Sequence, residues 1–357
     1  MDKTLYLVLE NGKVFQGYSI GAQGEVIGET VFQTSVLGYN EAITDPKYCG
    51  QIVVQTFPLI GNYGIITEEL DTKEPVIGGY IVKSVCDTPS NFRTAGKLDD
   101  YLKKKGIVGL AGIDTRELTR IIRDNGTMNG KITSDISNID NIKNELKSHN
   151  NSVDLGKVSI NAPKLYEAEN ADFKVVMYDF GASKGFVECF TSMGIAVECI
   201  PYDTKADDIG NADGIILSEG PGNPSDYSDI VNEIKKLTDR NIPVYGCGLG
   251  HQLLAIALGA KTKKHAYGHR GSNQPVKNTE SGKIYITTQN HGYIVDETSL
   301  PNNAEISFIN VNDKTIEGLS YPDKKAFSTQ FMPNICNGPH DTRFIIENFK
   351  NIMKGDK

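Results

Sequence analysis

The chain reads as an α/β protein of two domains, and three features carry that reading. From about residue 173 onward apolar runs alternate with helical stripes, as they do in a largely parallel sheet covered on both faces. Before residue 135 the apolar runs are shorter and punctuated by turn residues, which points to a mixed domain of short strands with a few helices. The stretch 135–163 between them is polar and rich in Asn, Ser and Lys, and suits a poorly packed helix followed by a linker. The expected boundaries are 1–160 and 173–357, and 357 residues suffice for two cores of ordinary size.

In the first domain, strands over Leu5–Glu10 and Val14–Tyr18 flank Asn11-Gly12. That pair predicts a two-residue hairpin turn with both residues at positive φ. Helices follow near Leu98–Lys105 and Thr115–Asp124. The second domain has apolar strands at Val175–Tyr178, Ala196–Ile200, Gly214–Leu217, Ile284–Thr288 and Ala326–Gln330. Helices are expected from about Lys184, over Ile230–Thr238 and over about Thr342–Met353. Open sheets of this kind bind ligands beyond the carboxyl ends of their strands. The loops Ser218–Pro224 and Gln330–Asn334 and the turn after Val244 all follow strands and are expected to converge there.

The turn after Val244 is the most informative segment. Ile242–Ile256 runs from an apolar strand through Gly246-Cys247-Gly248-Leu249-Gly250 into an apolar-striped helix. A strand–turn–helix elbow of this form lifts one residue, here Gly248, to the apex of a strained turn, where its side chain meets substrate. A dinucleotide-binding turn is excluded by spacing: it needs Gly-x-Gly-x-x-Gly, and Arg270 and Gly271 stand where its acidic residue belongs.

Over its whole length the chain resembles the small subunit of glutamine-dependent carbamoyl phosphate synthetase. That family joins an N-terminal layered β/β/α domain to a Rossmann-like class I glutamine amidotransferase domain. The family elbow, Gly-Ile-Cys-Leu-Gly-His-Gln, aligns without gaps on Gly246 to Gln252. Family wording also persists in Phe32–Tyr39, Ile43–Pro46, Pro58–Asn62, Ser90–Arg93, Asp114–Arg120 and Gly338-Pro-His-Asp341. The resemblance implies a catalytic Cys-His-Glu triad at three positions, which here hold Gly248, Met332 and Asn334. No catalytic residue is therefore expected.

The resemblance also implies ligand-binding roles. Leu249 and Gln252 match positions that contact glutamine, and Asn290, Gly292 and Tyr293 match the segment that holds its amino-acid end. Gly220 and Gly222 match an oxyanion-hole loop, although Glu219 and Asn223 stand where the family has Asn and Asp. Cys49 stands where the family has a serine that reaches the pocket, and Asp179–Gly185 departs from its family pattern as well. Cys247 is no substitute nucleophile. As the strand's last residue it points away from the apex side, and no base stands beside it. It is expected to be buried and structural.

Bulk composition narrows the class. Hydrophobic residues make up 39% and charged residues 23%, as in soluble globular proteins. The net charge of -8 argues against nucleic acid. No apolar stretch is long enough to span a membrane, and the N-terminus becomes charged too soon for a signal peptide. Six scattered cysteines suit a reducing cytoplasm. Neither a metal nor a cofactor is expected: His265 and His269 are spaced like helical ligands, but Tyr-Gly-His-Arg-Gly reads as a solvated loop with no third ligand. Lys261, Lys263 and Lys264 read as a solvated strand edge, and Lys103–Lys105 as a helix C-terminus.

The resemblance implies a family role of supplying ammonia from glutamine for carbamoyl phosphate, in pyrimidine and arginine synthesis, with a carbamoyl phosphate synthetase large subunit as partner. With its triad replaced, the chain is expected to act as a structural or regulatory partner without hydrolysing glutamine. The alternatives are a module that binds glutamine or a related small molecule, and an amidohydrolase with a relocated nucleophile.

Overall fold

The computed structural model describes residues 3–70, 74–333 and 341–355. The chain divides into two compact units after Val153, seven residues before the expected end of the first domain. The expected linker is in part a strand, Lys164–Tyr166, which belongs to the second unit's sheet.

The first unit contains β1 (Thr4–Leu9), β2 (Val14–Gly21), β3 (Val26–Gln33), α1 (Tyr39–Thr44), β4 (Ile52–Gln55), β5 (Leu59–Ile60), β6 (Gly79–Ile81), β7 (Ser84–Val85), α2 (Leu98–Lys104), β8 (Val108–Ala111), α3 (Thr115–Asn125), β9 (Met128–Thr133) and α4 (Ile139–Ser148). Among the described residues, β1-β2-β8-β6-β4-β3-β9 close into a barrel, and β5 pairs with β7 beside it. Closure leaves these strands without a free edge. α3 starts where the Asp114 carboxylate accepts from the Glu117 N–H (2.9 Å), and it buries Leu118 and Ile122 on one face. α4 buries Ile142 and Leu146 against Val8, so the polar stretch is better packed than its composition suggests.

The first hairpin is not the expected two-residue turn. Gly12 N–H donates to the Leu9 carbonyl, Gly12 has φ 88°, and Asn11 keeps negative φ. This is a three-residue loop, a type I turn closed by a left-handed glycine, and it sets the register Val8↔Val14.

The second unit contains β10 (Lys164–Tyr166), β11 (Phe173–Asp179), α5 (Lys184–Thr191), β12 (Ile195–Pro201), β13 (Gly214–Leu217), α6 (Ser228–Thr238), β14 (Val244–Cys247), α7 (Leu249–Ala257), β15 (Thr262–Asn278), β16 (Ile284–Val295), β17 (Glu305–Asn310), β18 (Ile316–Tyr321), β19 (Ala326–Thr329) and α8 (Phe344–Lys354). Its ten-stranded sheet runs β10-β12-β11-β13-β14-β19-β18-β17-β15-β16. Among the described residues only β12-β11-β13-β14-β19 is parallel; the remaining pairings are antiparallel, so the sheet is mixed rather than largely parallel. Phe186, Phe190, Tyr245, Phe331 and Phe349 are fully buried in its core. No helix among the described residues is long and apolar enough to cross a membrane.

Candidate functional site

Three glycines build the elbow, for two different reasons. A Cβ on Gly246 would lie 2.7 Å from the Gly250 carbonyl oxygen, and one on Gly250 would lie 2.1 Å from the Leu217 carbonyl oxygen. These two glycines let the start of α7 sit directly on β13 and β14. Gly248 is required by conformation instead, at φ 56° and ψ -111°. Its N–H donates to the Thr329 carbonyl (3.0 Å), and the Gln252 N–H closes the first turn onto the Gly248 carbonyl (3.3 Å). Eight of the nine residues of α7 are buried, which anchors the turn from behind.

In the second unit the loop after β13 lies beside this apex, and Gln252 links α7 to β16. A Cβ on Gly248 would meet Glu219 Cβ at 3.2 Å and Glu219 Cα at 3.4 Å. A Cβ on Gly220 would strike the Phe180 carbonyl oxygen at 2.4 Å and Leu249 Cδ2 at 3.0 Å, so the loop after β13 lies against the start of α7. Gly222 has φ 95° and packs on the Tyr227 hydroxyl. The Gln252 amide donates to the Tyr293 carbonyl (2.7 Å) and to Gln330 Oε1 (2.9 Å), tying α7 to β16 and to the end of β19. Asn290, Gly292 and Tyr293 lie along β16, with Arg270 opposite Asn290. Cys49 belongs to the first unit, where it is buried and bridges to Ile77. Asn334 lies outside the described residues, as does Gly338-Pro-His of the quoted segment.

The apex itself carries no nucleophile. Cys247 is fully buried and its thiol donates to the Phe331 carbonyl (3.5 Å), inside the core rather than toward the apex. Met332 lies in the same core, and its N–H donates to the Thr288 carbonyl (3.2 Å). A thioether there cannot take a proton from a thiol. The Glu219 carboxylate is turned aside. Oε1 accepts from Ser183 Oγ (2.7 Å) and from the Ser183 N–H (3.2 Å), at the N-terminus of α5, where the helix dipole favours negative charge. His251 is buried beside the elbow, with Nδ1 2.8 Å from Ser328 Oγ, and burial pushes its pKa down to about 3.

The stretch around His265 and His269 is not the expected solvated loop. It forms the first half of β15; His269 is 5% exposed and stands opposite His291 of β16. Asp313, between β17 and β18, and Glu317, on β18, complete a histidine–carboxylate cluster. His269 Nε2 lies 2.8 Å from Asp313 Oδ2, with His265 Nε2 3.2 Å from the same oxygen. Burial lowers the His269 pKa, but hydrogen bonds and charge from Asp313 and Glu317 outweigh it and raise the net value. The carboxylates lie 44 and 48 residues beyond His269, too far for local spacing to announce. The usable signal was Glu317 itself, a lone carboxylate inside the run Ile316-Glu-Gly-Leu319.

Fold and site together define a small-chain domain joined to a class I amidotransferase domain. Residues 7–132 match the family described as "Carbamoyl-phosphate synthase small chain, CPSase domain", and residues 176–352 match "Glutamine amidotransferase class-I". The chain belongs to the carbamoyl phosphate synthase small chain family. It is 46% identical to the carbamoyl phosphate synthase small chain of Clostridium perfringens over 96% of this chain and 97% of that one. It is 43% identical to the small chain of Syntrophotalea carbinolica over 98% of each. Identity is also 43% to the pyrimidine-specific small chain of Halalkalibacterium halodurans, over 98% of this chain and 97% of that one.

Proposed function

We propose that this chain docks to a carbamoyl phosphate synthase large chain as a small chain that does not itself hydrolyse glutamine. Its remaining role is structural or regulatory, in the cytoplasm, and its partner uses free ammonia. The observation that carries this reading is the apex: the elbow is complete, yet its apical residue is Gly248 and the neighbouring Cys247 thiol is bound to the Phe331 carbonyl. Covalent amide hydrolysis needs nucleophile, base and oxyanion donors acting as a unit, and loss of the nucleophile alone removes most of the rate. Met332 and Asn334 supply no base and no carboxylate to orient one.

Docking draws support from the first unit's surface. Val36, Leu37, Leu59 and Phe92 are exposed large apolar side chains, and each falls in a segment that keeps the family's wording. Phe92 is 97% exposed. Exposed apolar groups of this kind suit a protein partner.

A second reading is binding of glutamine or a related small molecule; it draws support from Gln252, which is held to Tyr293 and Gln330 among the positions that the resemblance assigns to glutamine. The two readings are compatible. A relocated nucleophile is disfavoured by the orientation of Cys247.

The deciding experiment is carbamoyl phosphate formation by this chain with a cognate large chain, run with glutamine and with ammonium. Synthesis from ammonium alone is expected. Synthesis from glutamine that disappears in Cys247→Ser would overturn the reading.

A further inference from the structure

We propose that His269, His291 and Glu317 form a binding site for one divalent first-row transition cation of the zinc type, a site independent of whether the chain hydrolyses glutamine. The three side chains come from β15, β16 and β18, and they can present ligand atoms within 4.8 Å of one another. His269 and His291 are register partners on adjacent strands, which brings their rings to 5.1 Å at right angles.

Tautomers decide which atoms face inward. The Tyr293 carbonyl can only accept, so His291 Nδ1, 2.9 Å away, carries the proton and Nε2 is a bare lone pair when the ring is neutral. In neutral His269, Nε2 donates to Asp313 Oδ2, which leaves Nδ1 as the lone pair facing Glu317 Oε1 at 3.4 Å. Two ligand atoms about 2.0–2.1 Å from a tetrahedral zinc lie about 3.3 Å apart. Each histidine thus offers one nitrogen inward while the other is held by a carboxylate or a carbonyl, the usual outer support of metal-binding imidazole.

The neighbouring outer trio, His265, His269 and Asp313, fails the same test. The Gly268 N–H donates to His265 Nδ1 (2.9 Å), so neutral His265 carries its proton on Nε2, the atom that would have to bind the metal.

With neutral imidazoles and an ionised Glu317, lone pairs meet inside the cluster. Gln289 Oε1 lies 3.1 Å from the bare His291 Nε2, two acceptors facing each other. Turning the amide over moves the conflict to Glu317 Oε2, now 2.9 Å from Gln289 Nε2. Glu317 is fully buried, and Thr315 Oγ1 lies 3.1 Å from its other oxygen. A cation between His269, His291 and Glu317 resolves the lone-pair conflict. It would also fix Tyr293, whose carbonyl is shared with Gln252 of the elbow helix.

The test uses the full chain, stripped of metal and titrated with Co(II) as a spectroscopic probe and with Zn(II) against a chromophoric chelator. One equivalent is expected to bind tighter than about 1 μM, with d–d bands of low-coordinate cobalt and no thiolate charge-transfer band. Glu317→Gln should weaken binding at least about 100-fold, and Asp313→Asn about 10–100-fold. His265→Ala should leave affinity unchanged. The melting temperature of metal-free Glu317→Gln checks that the variant is folded, and the wild-type titration stands without any variant. Absence of saturable binding to the wild-type chain overturns the proposal. So does a cobalt–thiolate band, full binding by Glu317→Gln, or loss of binding in His265→Ala equal to that in Glu317→Gln.

Discussion

Restoring the missing side chain at the apex, by Gly248→Cys, should destabilise the second unit and yield no glutaminase. At φ 56° and ψ -111° an L side chain is strained, by roughly 1–3 kcal/mol. The new Cβ would also sit 3.2 Å from Glu219 Cβ, close enough that the loop after β13 must yield by a few tenths of an ångström. Against this, replacing glycine restricts the unfolded chain and returns about 0.4–1 kcal/mol. The expected net loss is about 1–2 kcal/mol, or about 2–8 °C in melting temperature for a domain of this size. Gly248→Ala should lose nearly as much, because the strain begins at Cβ and not at the sulfur. Urea and thermal unfolding of the full chain measure both variants. An unchanged or raised melting temperature in either would show that the apex is not strained and would remove the physical basis for calling it an elbow. The catalytic half is read from ammonia release with glutamine. Met332 accepts no proton, so the single variant should stay at background; measurable turnover would refute this. Restoration is expected to need Met332→His and Asn334→Glu as well.

Three further expectations follow from other groups. Glu219→Ala removes the acceptor of two Ser183 hydrogen bonds at the start of α5 and should cost about 1–3 kcal/mol in urea unfolding; no loss would mean that the carboxylate faces the apex instead. His251 has a folded pKa of about 3 against an ordinary 6.5, so between these values the unfolded state binds the extra proton and stability rises with pH. The stability difference between wild type and His251→Asn should therefore move in favour of wild type by about 2 kcal/mol from pH 5 to pH 7.5, and a difference constant over that range would contradict the assignment. Phe92→Ser and Leu37→Ser should leave unfolding unchanged within about 0.5 kcal/mol, yet weaken association with the large chain at least tenfold in a binding titration; undiminished association would place the docking surface elsewhere.

Legibility in the sequence followed the kind of signal each segment carries. Gly214–Leu217 is an apolar run between turn residues, and the strand found there has the expected bounds. α3 and α6 lie within two residues of expectation. β15 was hidden because its alternation breaks twice, at register shifts between Lys264 and His269 and between Gly271 and Gln274, and because it is rich in Lys, His and Gly. Its neighbours β16 and β17 come later in the chain, so no local window shows what buries His269. The hairpin at Asn11-Gly12 was legible as a turn but not as a type. The dipeptide is compatible with two loop lengths, and the barrel register Val8↔Val14 selects the longer one.

The elbow shows how a pattern read correctly can still conceal its causes. Gly246, Gly248 and Gly250 form one motif in the sequence, but the scaffold needs the outer two because backbone lies 2.1–2.7 Å from where their Cβ atoms would be. Those contacts belong to the packing of α7 on β13 and β14, and they persist whatever the apex does. Gly248 answers to a different constraint. Its conformation is one that a side chain tolerates only when something else requires the side chain, as catalysis does. On the proposed reading, with Met332 and Asn334 at the partner positions, catalysis does not require it, and glycine relieves the strain while leaving the turn intact. The same reasoning accounts for Glu219. On the proposed reading no oxyanion forms nearby and a carboxylate in this loop carries no catalytic penalty; it is held by the Ser183 donors at the helix terminus. The residues around the apex are thus mutually consistent with the proposed function, in which the elbow is a scaffold without a covalent intermediate.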